Sequence, residues 1–247
     1  MLSRLYEYMW NWAYQQNIAA ICSLLEVDQK ARAIDVGCGD GKNTVLFQRA
    51  IGCETVSGVD GVRGRLDAAK KRGIRTFHAD LEKRWPCKSA TMDVVVTNQV
   101  IEHIFDIDHF IMEAWRVLVP GGYCVVSTEN LASWHNIASL VLGFQDFSHH
   151  LISRRHVGNP LSLHYNEKTA TWSKKDNSGV DDSTYPHVKI LTLKSLIAVF
   201  EAYGFSFEQR LGCGYYPLIS GMSRLASWLD PYHSHFICVK MRKPSLL

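Results

Sequence analysis

The chain has 247 residues, 47% of them apolar and 21% charged, which is enough for one sizeable core and excludes a disordered or fibrous polymer. Its net charge of +3, from 27 basic and 24 acidic residues, is too small to predict a nucleic-acid or other polyanion partner. No run approaches the ~18 apolar residues of a membrane span, the first residues lack a signal-peptide pattern, and seven cysteines without paired short spacings exclude a disulfide framework or structural zinc site, so a reducing cytoplasm is expected.

Residues 4–25 read as one or two helices with Tyr6, Met9, Tyr14 and Ile18 among the apolar positions, making 1–30 an N-terminal helical region. Apolar runs near 32–36, 54–59, 74–77, 92–97 and 122–127 then alternate with helical patterns near 42–50, 63–72 and 107–118. This alternation predicts an α/β fold, a doubly wound and mostly parallel sheet with helices on both faces. Right-handed crossovers place the strand tips along one edge. Six basic residues on or just past the second of these helices (Arg63, Arg65, Lys70, Lys71, Arg72, Arg75) have no interleaved aromatics and read as a solvated face.

The first strand runs into a glycine-rich turn, Asp35-Val36-Gly37-Cys38-Gly39-Asp40-Gly41, and the second ends in Asp60. Turn glycines let the backbone approach a ligand, and an acid roughly 20 residues further on is where such a sheet holds a ribose. Together they predict an adenosine-containing cofactor. A dinucleotide site asks for Gly-x-Gly-x-x-Gly under a pyrophosphate. Here Lys42 takes the place of the third glycine and Asp40 lies beside the diphosphate position. An NAD(P)-dependent oxidoreductase therefore stands as the alternative.

After Asn130, Leu131, Trp134, Ile137, Ala138, Val141 and Leu142 have helical spacing, and 145–187 is polar. Residues 131–190 read as an inserted helix and lid over the acceptor site within a single domain, 1–247. The helix covers a pocket or lies on a membrane surface; the pocket is favoured. A helix at 192–203 and strands Phe205–Leu211 and His235–Met241 follow, the strands separated by a segment containing Gly212, Gly214, Pro217 and Pro231.

The glycine turn resembles the first motif of class I S-adenosylmethionine-dependent methyltransferases, and Asp60 matches that family's ribose-binding acid. His78-Ala79-Asp80-Leu81 is similar to its third motif. Met92-Asp93-Val94-Val95-Val96-Thr97-Asn98-Gln99-Val100-Ile101-Glu102-His103 resembles its fourth, and Trp115–Tyr123 the helix, turn and strand that follow. The resemblance covers residues 30–130. It implies S-adenosyl-L-methionine as cofactor, a small-molecule acceptor methylated at oxygen, and an otherwise parallel sheet with one antiparallel strand, the C-terminal one, inserted beside the sixth. A methyltransferase-like binding protein without activity is a third reading.

The resemblance implies cofactor contacts from Asp35, Gly37, Cys38 (through its main chain), Gly39, Asp60 with Gly61, Asp80, Leu81, Asn98 and Gln99. Asp60 would take the ribose hydroxyls. Asp35 would hold the amino group and Asp80 the adenine amino group; each is equally read as a turn or helix cap. His103 follows the fourth strand where the acceptor approaches. An imidazole titrates at about pH 6.5, so His103 is the candidate catalytic base, with a bracing role as the other reading. Some ubiquinone-type O-methyltransferases hold a divalent metal with a glutamate three residues before the Glu-His pair. Gln99 stands there, a poorer ligand for a hard cation, and no metal is expected. His149, His150, Arg154, Arg155 and His156 read as an acidic-acceptor site or a solvated loop. Tyr165, His187, Tyr215 and Tyr216 are candidates to line the acceptor pocket, and Tyr6 or Tyr14 to face a sulfonium.

Overall fold

The computed structural model describes residues 2–149, 159 and 187–245. In chain order these form α1 (Leu2–Leu24), β1 (Ala33–Val36), α2 (Lys42–Ile51), β2 (Val56–Asp60), α3 (Arg63–Lys71), β3 (Arg75–His78) and β4 (Met92–Asn98). Then come α4 (Ile107–Val117), β5 (Leu118–Glu129), α5 (Trp134–Val141), α6 (Leu193–Ala202), β6 (Ser206–Cys213), α7 (Ser220–Leu229) and β7 (Phe236–Arg242). Short 3-10 turns occupy Ile101–His103 and Pro231–His233.

The strands make one seven-stranded sheet ordered β3-β2-β1-β4-β5-β7-β6. Strands β1 to β5 pair in parallel, whereas β7 is antiparallel to both β5 and β6. The order departs in opposite directions from β1 and β4, so the crevice at a topological switch point lies between their carboxyl ends.

Side chains alternate across a strand, and here the alternation sorts two cores. Ile34, Val36, Val95, Cys124, Val126, Ile237 and Val239 pack with Phe110, Ile111 and Ala114 of α4 and with Leu193, Leu196 and Phe200 of α6. Their neighbours Ala33, Val94, Val96, Tyr123, Val125 and Cys238 pack on the other face with Ile18, Ile21 and Leu24 of α1 and with Phe47 and Ile51 of α2. Helix α2 starts after Gly41 and stops at Gly52, both left-handed (φ 79° and 75°), and the Gly52 N–H closes on the Gln48 carbonyl. A Cβ on Gly41 would lie 2.9 Å from that of Ala69. The close approach expected of a third glycine is thus made by Gly41 against α3.

The N-terminal pattern, read as one or two helices, is a single helix. Two elements differ from expectation. Strand β5 begins at Leu118 because pairing with β4 continues through a register shift between Met92 and Val94, a stretch that Pro120-Gly121-Gly122 disguises as a turn. Helix α7 was not foreseen, because the residues it buries are Ser223 and Ser227, which leave no inward apolar period to read. No described helix is long and apolar enough to cross a membrane. Most of the expected lid, with His150, Arg154, Arg155, His156 and Tyr165, lies outside the described residues.

Candidate active site

A cleft of about 640 Å³ opens at the β1–β4 switch point, lined by Tyr14, Asp35, Gly37, Cys38, Gly39, Asn43, Asn98 and Gln99 among others. Asp35 ends β1 and is 2% exposed. One of its oxygens accepts a 2.6 Å hydrogen bond from Thr44 in the first turn of α2; the other is buried without a partner. Burial, opposed by the Thr44 bond and reinforced by the charge of Asp60, raises its pKa to about 7. A carboxylate oxygen left bare on a residue that lines a cleft suits a cationic group.

The glycine turn spends its own donors. Gly37 and Cys38 donate to the Val59 carbonyl at 2.8 and 3.1 Å, and Gly41 to that of Cys38 at 3.0 Å. Gly39 donates to Asp60 at 2.9 Å and Lys42 to Asp40 at 3.1 Å. A pyrophosphate needs such N–H groups free, so the turn is ill suited to a dinucleotide. Asp40 is neutralised locally by Lys42 at 3.0 Å and Arg72 at 3.5 Å. The Cys38 thiol is buried, which pushes its pKa up, and it packs where a Cβ on Gly58 would stand; its sulfur is inert packing.

Asp60 is buried, and its second oxygen accepts from Val62 N–H at 2.8 Å. A carboxylate has about four acceptor positions, so two remain open. Gly61 follows, its carbonyl 3.0 Å from the His78 ring. Asp80 is half exposed; it accepts from Glu82 N–H and pairs with Lys83 at 3.5 Å, a turn-capping arrangement. Leu81 packs against the core. None of Asp60, Gly61, Asp80 and Leu81 is among the residues lining the cleft between the glycine turn and Asn98, which does hold Asp35, Gly37, Cys38, Gly39, Asn98 and Gln99.

Sequence reasoning missed the polar struts beneath this cleft. Asn17 of α1, fully buried, donates to Asn98 at 2.8 Å and accepts from Ser127 at 2.6 Å. Asn43 donates to the Tyr14 hydroxyl at 2.8 Å. The readable signal was Asn17, a polar residue in the apolar stripe of a helix. Gln99 sits in the left-handed region (φ 55°), costly for a side chain, and its amide nitrogen is buried without a partner.

A second group of residues gathers past the tips of β4, β5 and β7. Glu102 is fully buried; Thr128 donates to one oxygen at 2.8 Å, and the other has no partner. Burial raises its pKa to about 8. His103 lies beside His187, ring centroids 4.8 Å apart. A nitrogen of each ring and an oxygen of Glu102 fall within 4.8 Å of one another. The His187 Nδ1 is 2.7 Å from the Ser148 carbonyl oxygen and 3.8 Å from Glu129. Since a carbonyl only accepts, Nδ1 carries a proton and Nε2 presents its lone pair when the ring is neutral. Burial also raises Glu129, to about 7.

Deeper at this end, His235 is 5% exposed with neither ring nitrogen partnered, and burial depresses its pKa. Its ring packs on His135 and Tyr216, each with centroids 4.9 Å away. Of the other candidates, His149 is held by Asp146 at 2.9 Å. Tyr215 accepts from the Trp134 indole at 2.6 Å and donates to Asp230 at 2.8 Å.

Comparison with known proteins agrees with this geometry. A family model described as a methyltransferase domain matches residues 9–210. A probable S-adenosylmethionine-dependent methyltransferase of Mycolicibacterium smegmatis is 39% identical over 105 residues, 39% of this chain and 37% of that protein. A ubiquinone biosynthesis O-methyltransferase of a Bradyrhizobium strain is 33% identical over 119 residues, 45% of each chain. The matched stretch thus spans less than half of these relatives. The crystal structure of a possible histamine N-methyltransferase from Thermotoga maritima superposes with a TM-score of 0.59 at 17% identity, over 96% of this chain and 93% of that one. The chain belongs to the family of S-adenosylmethionine-dependent methyltransferases.

Proposed function

We propose that the chain transfers a methyl group to the oxygen of a small-molecule acceptor, with His103 as the base that takes the acceptor's proton. The observation that carries this reading is the placement of Asp35, Asn98 and Gln99 around one cleft, with one buried Asp35 oxygen left without a hydrogen-bond partner. S-adenosylmethionine supplies an activated methyl group on a sulfonium when bound. Asp35 holds the amino end, Gly37 and Gly39 leave room for the chain beside the turn, and Asp60 takes the ribose hydroxyls with its two spare acceptor positions. Asp60, Asp80 and Leu81 would meet the ribose and adenine from outside the cleft's present lining. Tyr14, whose hydroxyl is anchored by Asn43, offers a ring to a cationic sulfur.

Most of the acceleration comes from alignment, and the acceptor O–H proton is the one that needs a side chain. His103 stands where β4 delivers the acceptor. The choice of oxygen follows the ubiquinone-type relative. The turn's occupied N–H groups speak against NAD(P). Seven free thiols suit a reducing cytoplasm.

A second reading is favoured by one observation, the convergence of Glu102, His103 and His187. Two imidazoles and a carboxylate suit a divalent transition ion, and the Ser148 carbonyl behind His187 is the usual second support. His103 is then a ligand rather than the base. Incubation with a labelled methyl donor and hydroxylated acceptors, before and after chelation, separates the two: activity surviving chelation supports the base. Calorimetry with S-adenosylhomocysteine and NADH tests the cofactor. Binding without any methylated product across acceptor pools would leave the non-catalytic reading.

A further inference from the structure

We propose that α7 and the groove beside it dock on an anionic phospholipid surface. Helix α7 is built inside out. Its buried positions are Ser223 and Ser227, 1% and 3% exposed, while Met222, Leu225, Trp228 and Leu229 are 58–74% exposed. Helix α5 repeats the pattern: it buries Asn136 and Ser139, and Val141 and Leu142 at its end are 80% and 71% exposed. Helix α5 is tied to the segments on either side of α7, where Trp134 donates to Tyr215 and stacks on His233 with centroids 4.4 Å apart. Tyr215 in turn accepts nothing from α7 but donates its N–H to Ser223 at 2.7 Å.

Between α1, the edge strand β6 and α7 runs a groove of about 840 Å³, with Ala20, Leu24 and Leu211 among its apolar lining and Arg210 and Arg224 also on its walls. The Arg210 guanidinium lies 5.0 Å from the Tyr232 ring, and neither arginine forms an ion pair among the described residues. The groove's one acid, Glu208, is taken by Arg242 and Lys240. Neither α5 nor α7 carries a carboxylate.

Charge complementarity selects the occupant. Two uncompensated guanidiniums beside a wholly apolar, acid-free helix face match lipid tails bordered by anionic headgroups. Side chains that stand more than half exposed project from the surface and suit a deformable interface better than a fitted protein socket. Trp228 and Trp134 are the residue type that settles at headgroup depth. A helix of ten residues is about 15 Å long, so it lies in the interface and does not cross it.

Flotation of the full chain with vesicles of phosphatidylcholine, with and without phosphatidylglycerol, tests the proposal. The wild type should float with the anionic vesicles, less so as salt rises. Arg210→Ala and Arg224→Ala should each weaken binding about fivefold. Leu225→Asp with Trp228→Asp should abolish it, with the thermal transition and S-adenosylhomocysteine affinity unchanged. Failure of the wild type to float, or equal flotation of the wild type without phosphatidylglycerol, would overturn the assignment. So would a dimer by light scattering that Leu225→Asp splits, since the face would then belong to a second copy.

Discussion

The two halves of the strand-tip edge are built differently. Around β1 and β2 the turn is held by its own backbone: four N–H groups of the glycine turn close on the Val59 and Cys38 carbonyls and on Asp60, all within a short stretch of chain. Past β4, β5 and β7 the corresponding surface is side chains. Glu102, His103, Glu129, Ser148, His187 and His235 come from distant segments, and two of them are acids with pKa raised by burial, to about 8 and about 7. A backbone cradle is fixed once the fold forms and serves one cofactor. A side-chain surface changes with single substitutions, which is where the proposed choice of acceptor falls.

The largest effect that breaks this contrast is His103→Gln. Turnover should fall about a hundredfold with cofactor affinity kept, as read by steady-state kinetics beside calorimetry. Retained turnover would remove His103 from the chemistry. Next is Gly37→Ala in the other half. Gly37 has φ 80°, and a Cβ there would meet a Val100 methyl at 2.2 Å. Strain and overlap together should cost about 2–3 kcal/mol of stability, visible in urea unfolding, and should weaken cofactor binding. An unaffected midpoint would show that the turn is not fixed by its backbone.

The same contrast explains what was legible. The order of strands, the glycine turn and Asp60 stand in local patterns of apolar period and turn chemistry, so they were readable in the chain. His187 stands 84 positions from His103, and only folding brings the rings together. His235 is one histidine before an apolar run and carries no local mark. Asp80 reads in its motif as an adenine ligand or a turn cap, and its contacts within the chain are those of the cap. Helix α7 escaped because its burial pattern is the inverse of the one that periodicity detects, the same inversion that marks it as a surface.

Asp60→Ala comes third. Asp60 joins the turn to β2 through Gly39 and Val62, and its loss should lower affinity for S-adenosylhomocysteine about tenfold, about 1.4 kcal/mol. Calorimetry on a variant with an unchanged thermal transition is the measure, and unchanged affinity would end the ribose assignment.

The smallest effect is a pH dependence, and it tests whether Asp35 is an ammonium site. Burial, against the Thr44 hydrogen bond and with Asp60 nearby, lifts its pKa from 3.8 to about 7. A raised acid favours folding while protonated. The stability it contributes is full below the unfolded value and is lost as pH rises from 3.8 through about 7. An ammonium wants the ionised form, so binding in this range releases a proton. Affinity for S-adenosylhomocysteine should therefore rise about fivefold between about pH 6 and 7, and the thermal shift on binding should grow in step. Asp35→Asn keeps the shape, cannot ionise, and should bind weakly with no pH slope. A slope that survives in Asp35→Asn would assign the titration to another group and leave the bare Asp35 oxygen without a ligand.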